Sequence, residues 1–134
     1  MEITSKWIDK FQFKVDNGRN QTVILDVPPN YGGDNTGPTG LELAIMGLAS
    51  CLGTTYKMIA DKMHIEIIGL EVKAIVNKDE RDMVTDINLN VKIESNDEPE
   101  KLQKVLEMAE QNCPVDNIFH QTKIPMETKL EIVN

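Results

Sequence analysis

The feature that most constrains the fold is an apolar, helix-forming stretch at residues 37–64, with Cys51 near its centre. Apolar residues occupy every side of its first half, and only Glu42 and Ser50 interrupt them. A helix that is apolar all round is normally buried. Because polarity rises sharply from Thr54 onward, a membrane span is disfavoured. The stretch therefore predicts a central helix enclosed by the rest of the fold.

The composition predicts one soluble domain over residues 1–134. A chain of 134 residues with 40% hydrophobic content can bury a core of its own. The 22 acidic and 14 basic residues give a formal charge of −8, which disfavours nucleic-acid and anionic-membrane partners because these require clustered Lys and Arg. The N-terminus has no apolar signal region, so we expect a cytoplasmic location.

Alternating apolar residues predict an α+β fold with a mostly antiparallel sheet. Strands are predicted at residues 5–15, 22–27, 65–77, 83–95 and 123–133, with a hairpin turn at residues 16–20. Thr39 is the predicted N-cap of the central helix. An amphipathic helix is predicted at residues 100–112, followed by a short helix to residue 121 with Pro114 at its first position.

A loop at residues 28–40 precedes the central helix and contains three Pro and four Gly, which excludes a helix or a central strand there. A glycine-rich loop before a helix can cradle a phosphate. Neither the GxxxxGK[ST] nor the GxGxxG spacing is present, so phosphate binding is disfavoured.

The two cysteines are the candidate chemical groups, and their local settings differ. Cys51 lies in mid-helix among small residues and hydroxyls, far from a helix end that could favour its thiolate, which indicates a protected, buried thiol. Cys113 lies between two helices, where free N–H groups at the start of the second would lower a thiol pKa. Local sequence therefore predicts that Cys113 is the better-activated thiol, with a plain helix-stop role as its alternative.

No metal or cofactor is predicted. The residues suited to zinc are Cys51, His64, Cys113 and His120, and none has a paired ligand spacing. Both histidines are predicted at the surface. A Cys-His hydrolase arrangement is formally possible, but the sequence offers no oriented base.

Two runs of sequence, in this order and separation, resemble the OsmC/Ohr family of osmotically induced and organic-hydroperoxide-resistance proteins. They read GPTGLELAIMGLASC and AEQNCPV. The first resembles the central helix of the family and the second its Cys-Pro turn. The resemblance extends over nearly the whole chain. It implies an OsmC-like fold in which mostly antiparallel sheets wrap around a central buried helix, in an intertwined homodimer.

The resemblance also implies a thiol-dependent peroxidase for organic hydroperoxides. Cys51 would attack a peroxide oxygen and become a sulfenic acid, and Cys113 would resolve it as a disulfide. The implied partners are a second copy of the chain, a small apolar hydroperoxide and an external dithiol that reduces the disulfide.

The best-studied branch of this family also uses an Arg to stabilise the thiolate and a Glu to orient that Arg. Arg19, in the first hairpin turn, is the candidate Arg, with a solvated turn residue as its alternative. Glu42 is the candidate acid, but it lies nine residues before Cys51 and so near the opposite side of the helix. Its alternative role is electrostatic support of the helix N-terminus.

These departures resemble the less characterised OsmC-like branch of the family. They leave open a second function, a non-catalytic module that binds apolar ligands or senses redox state on the same dimeric fold.

Overall fold

The computed structural model describes residues 1–121 and 126–131. The chain divides into two compact units, Met1–Gly47 and Leu48–Asn134, and the boundary falls inside helix α1 (Gly40–Lys62). Antiparallel sheets and helices give the α+β class that the sequence predicts. The prediction of a single domain stays a prediction.

Unit 1 contains a three-stranded antiparallel sheet of β1 (Thr4–Asp9), β2 (Gln12–Asp16) and β3 (Val23–Leu25), in that order. The hairpin turn predicted at residues 16–20 is confirmed between β2 and β3, where Gly18 takes a positive φ of 71°. The third strand is shorter than predicted because the chain leaves the sheet at Asp26.

The single strand predicted at residues 5–15 is wrong, because the chain reverses at Lys10 and Asp9 pairs with Gln12. Lys10 takes a positive φ of 43° in this turn. Trp7 and Phe13 face each other across the strand pair. The alternation of aromatic residues along the sequence therefore continues through the turn, so the sequence pattern does not reveal the turn.

The loop between β3 and α1 folds around the buried carboxylate of Asp26. Its oxygens accept hydrogen bonds from the N–H groups of Val27 at 2.7 Å, Asp34 at 3.2 Å and Thr36 at 3.1 Å. The Thr36 hydroxyl donates a fourth, at 2.8 Å. The backbone N–H groups that could have bound a phosphate are thus hydrogen-bonded to the Asp26 carboxylate.

Helix α1 begins at the predicted Thr39 N-cap. The Thr39 hydroxyl accepts the N–H of Glu42 at 3.2 Å, and the Glu42 carboxylate accepts the N–H of Thr39 at 2.8 Å, which together form a reciprocal capping box. By length and composition α1 could also cross a membrane, a property that it shares with central helices of soluble proteins.

The single chain does not enclose the first half of α1. Leu41 is 38% exposed and Met46 is 54% exposed, whereas Leu48 near the middle of the helix and Leu52 and Tyr56 after it are buried. The expected burial of the first half is therefore wrong for the single chain and stays a prediction only for an assembly.

Unit 2 contains the antiparallel hairpin of β4 (Gly69–Lys78) and β5 (Val84–Glu94), followed by α2 (Pro99–Asn112) and α3 (Pro114–His120). The predicted α2 and the position of Pro114 are confirmed. Strand β4 begins four residues later than predicted, because α1 ends at Lys62, His64 then takes a positive φ of 57°, and the chain runs irregularly to Gly69.

The core of unit 2 joins α1 to α2 and includes one of the two cysteines. Its buried cluster consists of Leu52, Tyr56, Ala60, Ile65, Val105, Ala109 and Cys113. The Tyr56 hydroxyl donates to the Leu102 carbonyl at 3.1 Å, which ties the two helices together.

The strand predicted at residues 123–133 falls partly outside the described residues. Residues 126–131, which the structure describes, form no strand.

Candidate functional site

Cys113 lies where α2 ends and α3 begins. A residue before proline is pushed out of helical geometry, and Cys113 is extended, with φ −76° and ψ 114°. Its sulfur accepts the N–H of Asp116 at 3.4 Å, so the thiol is the N-cap of α3. Its side chain belongs to the core cluster, and the residue is 0% exposed.

Cys51 lies on α1 and is half-buried, against the same cluster. Both cysteines are free thiols, and Cys51 is near enough to raise the pKa of the Cys113 thiol. Unit 2 alone therefore brings together the two cysteines that the sequence singled out.

Burial raises the pKa of the Cys113 thiol above its ordinary value of 9.0. The N–H of Asp116 acts in the opposite direction, and the neighbouring Cys51 raises the pKa again. The prediction that the start of α3 lowers the pKa of Cys113 is therefore wrong: the helix N-terminus is present, but desolvation outweighs it. The prediction that Cys51 is the more protected thiol is also wrong, because Cys51 is the one that solvent reaches.

A groove of about 540 Å³ passes the start of α3, and Leu48, Phe119, Glu110 and Asp116 are among its lining residues. His120 also lines it, with Nε2 at 3.3 Å from Asp116 Oδ2. His64 and His120 are exposed, as predicted. Within residues 1–121 and 126–131, no group of three or more His, Cys, Asp or Glu could hold a metal ion.

Arg19 and Glu42 belong to unit 1. Arg19 is exposed in the turn between β2 and β3, where its N–H donates to the Asn17 side chain at 3.0 Å. Glu42 forms the capping box of α1, which confirms its alternative role at the helix N-terminus. A role of either residue at the thiols stays a prediction.

Sequence reasoning missed Asp116, whose amide holds the Cys113 sulfur and whose side chain is buried. A signal was present, because Cys113 and Asp116 have the spacing of a capping box, with a thiol in place of the usual hydroxyl.

The profile of the family described as OsmC-like protein matches residues 33–129, which is most of the chain. This chain belongs to the OsmC-like protein family. No curated protein sequence matches it significantly.

Solved structures of OsmC-like and Ohr proteins share the fold. An OsmC-like protein from Mycoplasma pneumoniae is 19% identical, with a TM-score of 0.79 over 90% of this chain and 87% of that one. An organic hydroperoxide resistance protein OsmC from Legionella pneumophila is 15% identical, with a TM-score of 0.65 over 88% and 87%. The organic hydroperoxide resistance protein OhrB of Bacillus subtilis is 24% identical, with a TM-score of 0.60 over 90% of each chain.

Proposed function

We propose that this OsmC-like chain is a thiol-dependent peroxidase that reduces organic hydroperoxides. The observation that carries the proposal is that a half-buried Cys51 thiol packs against the core cluster that contains the fully buried Cys113 thiol. Family membership supports it, because similar folds include proteins named for organic hydroperoxide resistance.

In the first step, the Cys51 thiolate attacks the hydroperoxide, the O–O bond breaks, and the alkoxide leaves as an alcohol after taking a proton. Cys51 then carries a sulfenic acid. This assignment follows from access, since an incoming peroxide reaches the half-buried sulfur before the enclosed one.

In the second step, the Cys113 sulfur attacks the sulfenic sulfur, the S–S bond forms, and hydroxide leaves with the thiol proton as water. The raised pKa of Cys113 favours its thiol form in the reduced protein. An external dithiol then reduces the disulfide and is itself oxidised. Free thiols of this kind fit a reducing, cytoplasmic setting.

The substrate we propose is a small apolar hydroperoxide. Cys51 packs against an apolar cluster that includes Leu52 and Tyr56. An apolar substituent on the peroxide gains free energy when it leaves water for such surroundings.

We also propose that the working form is a homodimer and that Arg19 supplies positive charge to the Cys51 thiolate. The exposed apolar side chains of the single chain, such as Leu41, Met46 and Trp7, support an assembly that covers them.

The test is hydroperoxide consumption with a dithiol reductant, for the wild type, Cys51→Ser and Cys113→Ser. We expect turnover by the wild type and none by Cys51→Ser. Cys113→Ser is the matched control: it should form a trappable sulfenic acid in a single turnover but no intramolecular disulfide. Equal rates for the wild type and Cys51→Ser would contradict the proposal.

A second candidate is a non-catalytic module that binds apolar ligands or senses redox state. It is favoured by Glu42, whose carboxylate is engaged in the helix cap rather than free to orient an arginine. This function predicts binding of an apolar ligand by wild type and Cys51→Ser alike, without peroxide turnover. Sustained, dithiol-dependent turnover would exclude it.

A further inference from the structure

We infer that Cys113 is a redox-sensitive helix cap: when it forms a disulfide with Cys51, it releases the N-terminus of α3. The trigger in the cell rests on the proposed function. The mechanical consequence rests on the contacts of α3 alone.

Helix α3 spans seven residues, too few to be stable without tertiary support. Among the described residues, four side-chain contacts hold it besides its own backbone. The Cys113 sulfur accepts the Asp116 N–H, the Asn117 side chain donates to the carbonyls of Gln111 at 3.3 Å and Cys113 at 2.8 Å, and Asp116 pairs with His120.

Packing is uneven along α3. Val115 is half-buried against the core cluster and Asp116 is buried, whereas Ile118 is 52% exposed and Phe119 is 42% exposed. The second half of the helix therefore gains little from packing, and the buried first turn relies on the Cys113 sulfur to satisfy the Asp116 N–H.

The caps of α1 and α3 use the same spacing with different atoms. In α1 the acceptor is the Thr39 hydroxyl, which has no oxidation chemistry of this kind. In α3 the acceptor is a sulfur, a weaker acceptor that is also the atom proposed to bond to Cys51. One atom thus serves both as helix cap and as resolving group.

Disulfide formation takes this sulfur away from the amide. The sulfur must move to about 2.05 Å from the Cys51 sulfur, with a fixed dihedral angle, and it loses its bond to hydrogen. The Asp116 N–H is then left without its acceptor in a buried place, which is unfavourable. Opening the first turn of α3 lets this amide bond to water instead.

The opening gives the dithiol a route to the disulfide. In the reduced protein Cys113 is 0% exposed, so an external thiol has no access to it. A first turn that loosens after oxidation adds access at the Cys113 sulfur to the access that already exists at the half-buried Cys51. Reduction returns both thiols, and the cap forms again.

The test is amide hydrogen exchange at Asp116, measured by NMR in the reduced protein and in the disulfide form. The disulfide is introduced with an excess of a small-molecule disulfide, which is reduced to two thiols, so that peroxidase activity is not needed. We expect exchange at Asp116 to become about two- to thirtyfold faster on oxidation, the range that loss of a helix cap produces. Amides in the middle of α2, such as that of Val105, should not change.

Two variants provide controls. Cys51→Ser retains the Cys113 cap but cannot form the disulfide, so the oxidant should leave its Asp116 exchange unchanged. Cys113→Ser replaces the sulfur with a hydroxyl cap, so its exchange should be slow under both conditions. If Cys113→Ser fails to fold, the Cys51→Ser comparison still decides.

Equal exchange at Asp116 in the reduced and disulfide forms would overturn the inference. Failure of the small-molecule disulfide to join the two cysteines would also overturn it, because the cap would then have no trigger. Neither result depends on peroxide turnover, which is measured separately and decides the proposed function by itself.

Discussion

Glu42 accepts a hydrogen bond from the Thr39 amide, and a glutamine side chain can make the same bond. We therefore expect Glu42→Gln to change the free energy of unfolding by less than about 0.5 kcal/mol, and Glu42→Ala to lower it by about 1 kcal/mol. Urea unfolding measures both. Loss of peroxide turnover in Glu42→Gln at unchanged stability would instead assign the carboxylate to the thiol site.

Local sequence could predict the caps but not the raised pKa of the Cys113 thiol. Thr39 and Pro114 indicate helix starts through their own chemistry, and the structure confirms both predicted starts. The setting of Cys113 depends on Tyr56 and Val105, which enclose it in the core from distant parts of the sequence. Because desolvation comes from that packing, spacing along the chain does not reveal it.

At the scale of elements, the loop around Asp26 has a pH-dependent stability. Burial of this carboxylate alone would raise its pKa, but hydrogen bonds from Thr36, Val27 and Asp34 lower it from 3.8 to about 2. A carboxyl with a lowered pKa in the folded state stabilises the fold fully above its ordinary pKa. This contribution is lost as the pH falls from about 4 toward about 2.

We expect Asp26→Asn to be less stable than the wild type near neutral pH and to lose less stability on acidification through that window. Urea unfolding of the two proteins at a series of pH values measures the difference. Parallel pH profiles would show that Asp26 does not hold the loop as the structure indicates.

The same loop depends on close backbone approaches at its glycines. A Cβ at Gly37 would lie 1.9 Å from the Ile24 carbonyl oxygen, whereas a Cβ at Gly40 meets nothing within 4 Å. We expect Gly37→Ala to lower the free energy of unfolding by about 2–4 kcal/mol. The matched control Gly40→Ala should be neutral or slightly stabilising. A thermal or urea melt that shows equal effects would contradict this packing.

The regular elements were largely predictable, and the irregular ones were not. Strands β4 and β5 and helix α2 follow from apolar periods of two and of three to four residues. The reversal at Lys10 uses neither Gly nor Asn, so its turn has no compositional signal. The loop at residues 28–40 is recognisable from its Pro and Gly content. Its folded conformation depends on Asp26, which lies outside that stretch.

At the scale of the whole molecule, the exposed first half of α1 bears on assembly. Met46 is 54% exposed on this apolar segment, and Met83 is 61% exposed beside the charged β4–β5 turn. If a second copy covers α1, Met46→Glu should shift the protein from dimer to monomer, because it would bury a charge. Met83→Glu should leave the dimer intact. Sedimentation velocity of the wild type and both variants measures the oligomeric state. A wild type that sediments as a monomer would contradict the proposed homodimer.

Family and fold class could be identified from two short runs around Cys51 and Cys113, because they retain the order and separation of the family's helix and turn. The division into two units within α1 could not be predicted from the sequence. The apolar character of the helix continues through Gly47 without a change in composition at the boundary.

The β4–β5 hairpin has a consequence for the order of folding. Its pairing begins at Lys78 and Val84, which a five-residue connection joins, and can extend one residue pair at a time. The Tyr56–Leu102 bond instead joins residues 46 apart, which costs more chain entropy to close. We therefore expect refolding studied by pulsed hydrogen exchange to show hairpin amides protected before those of α2. In a newly made chain, the two cysteines would then meet only after the sheet between them in sequence has formed.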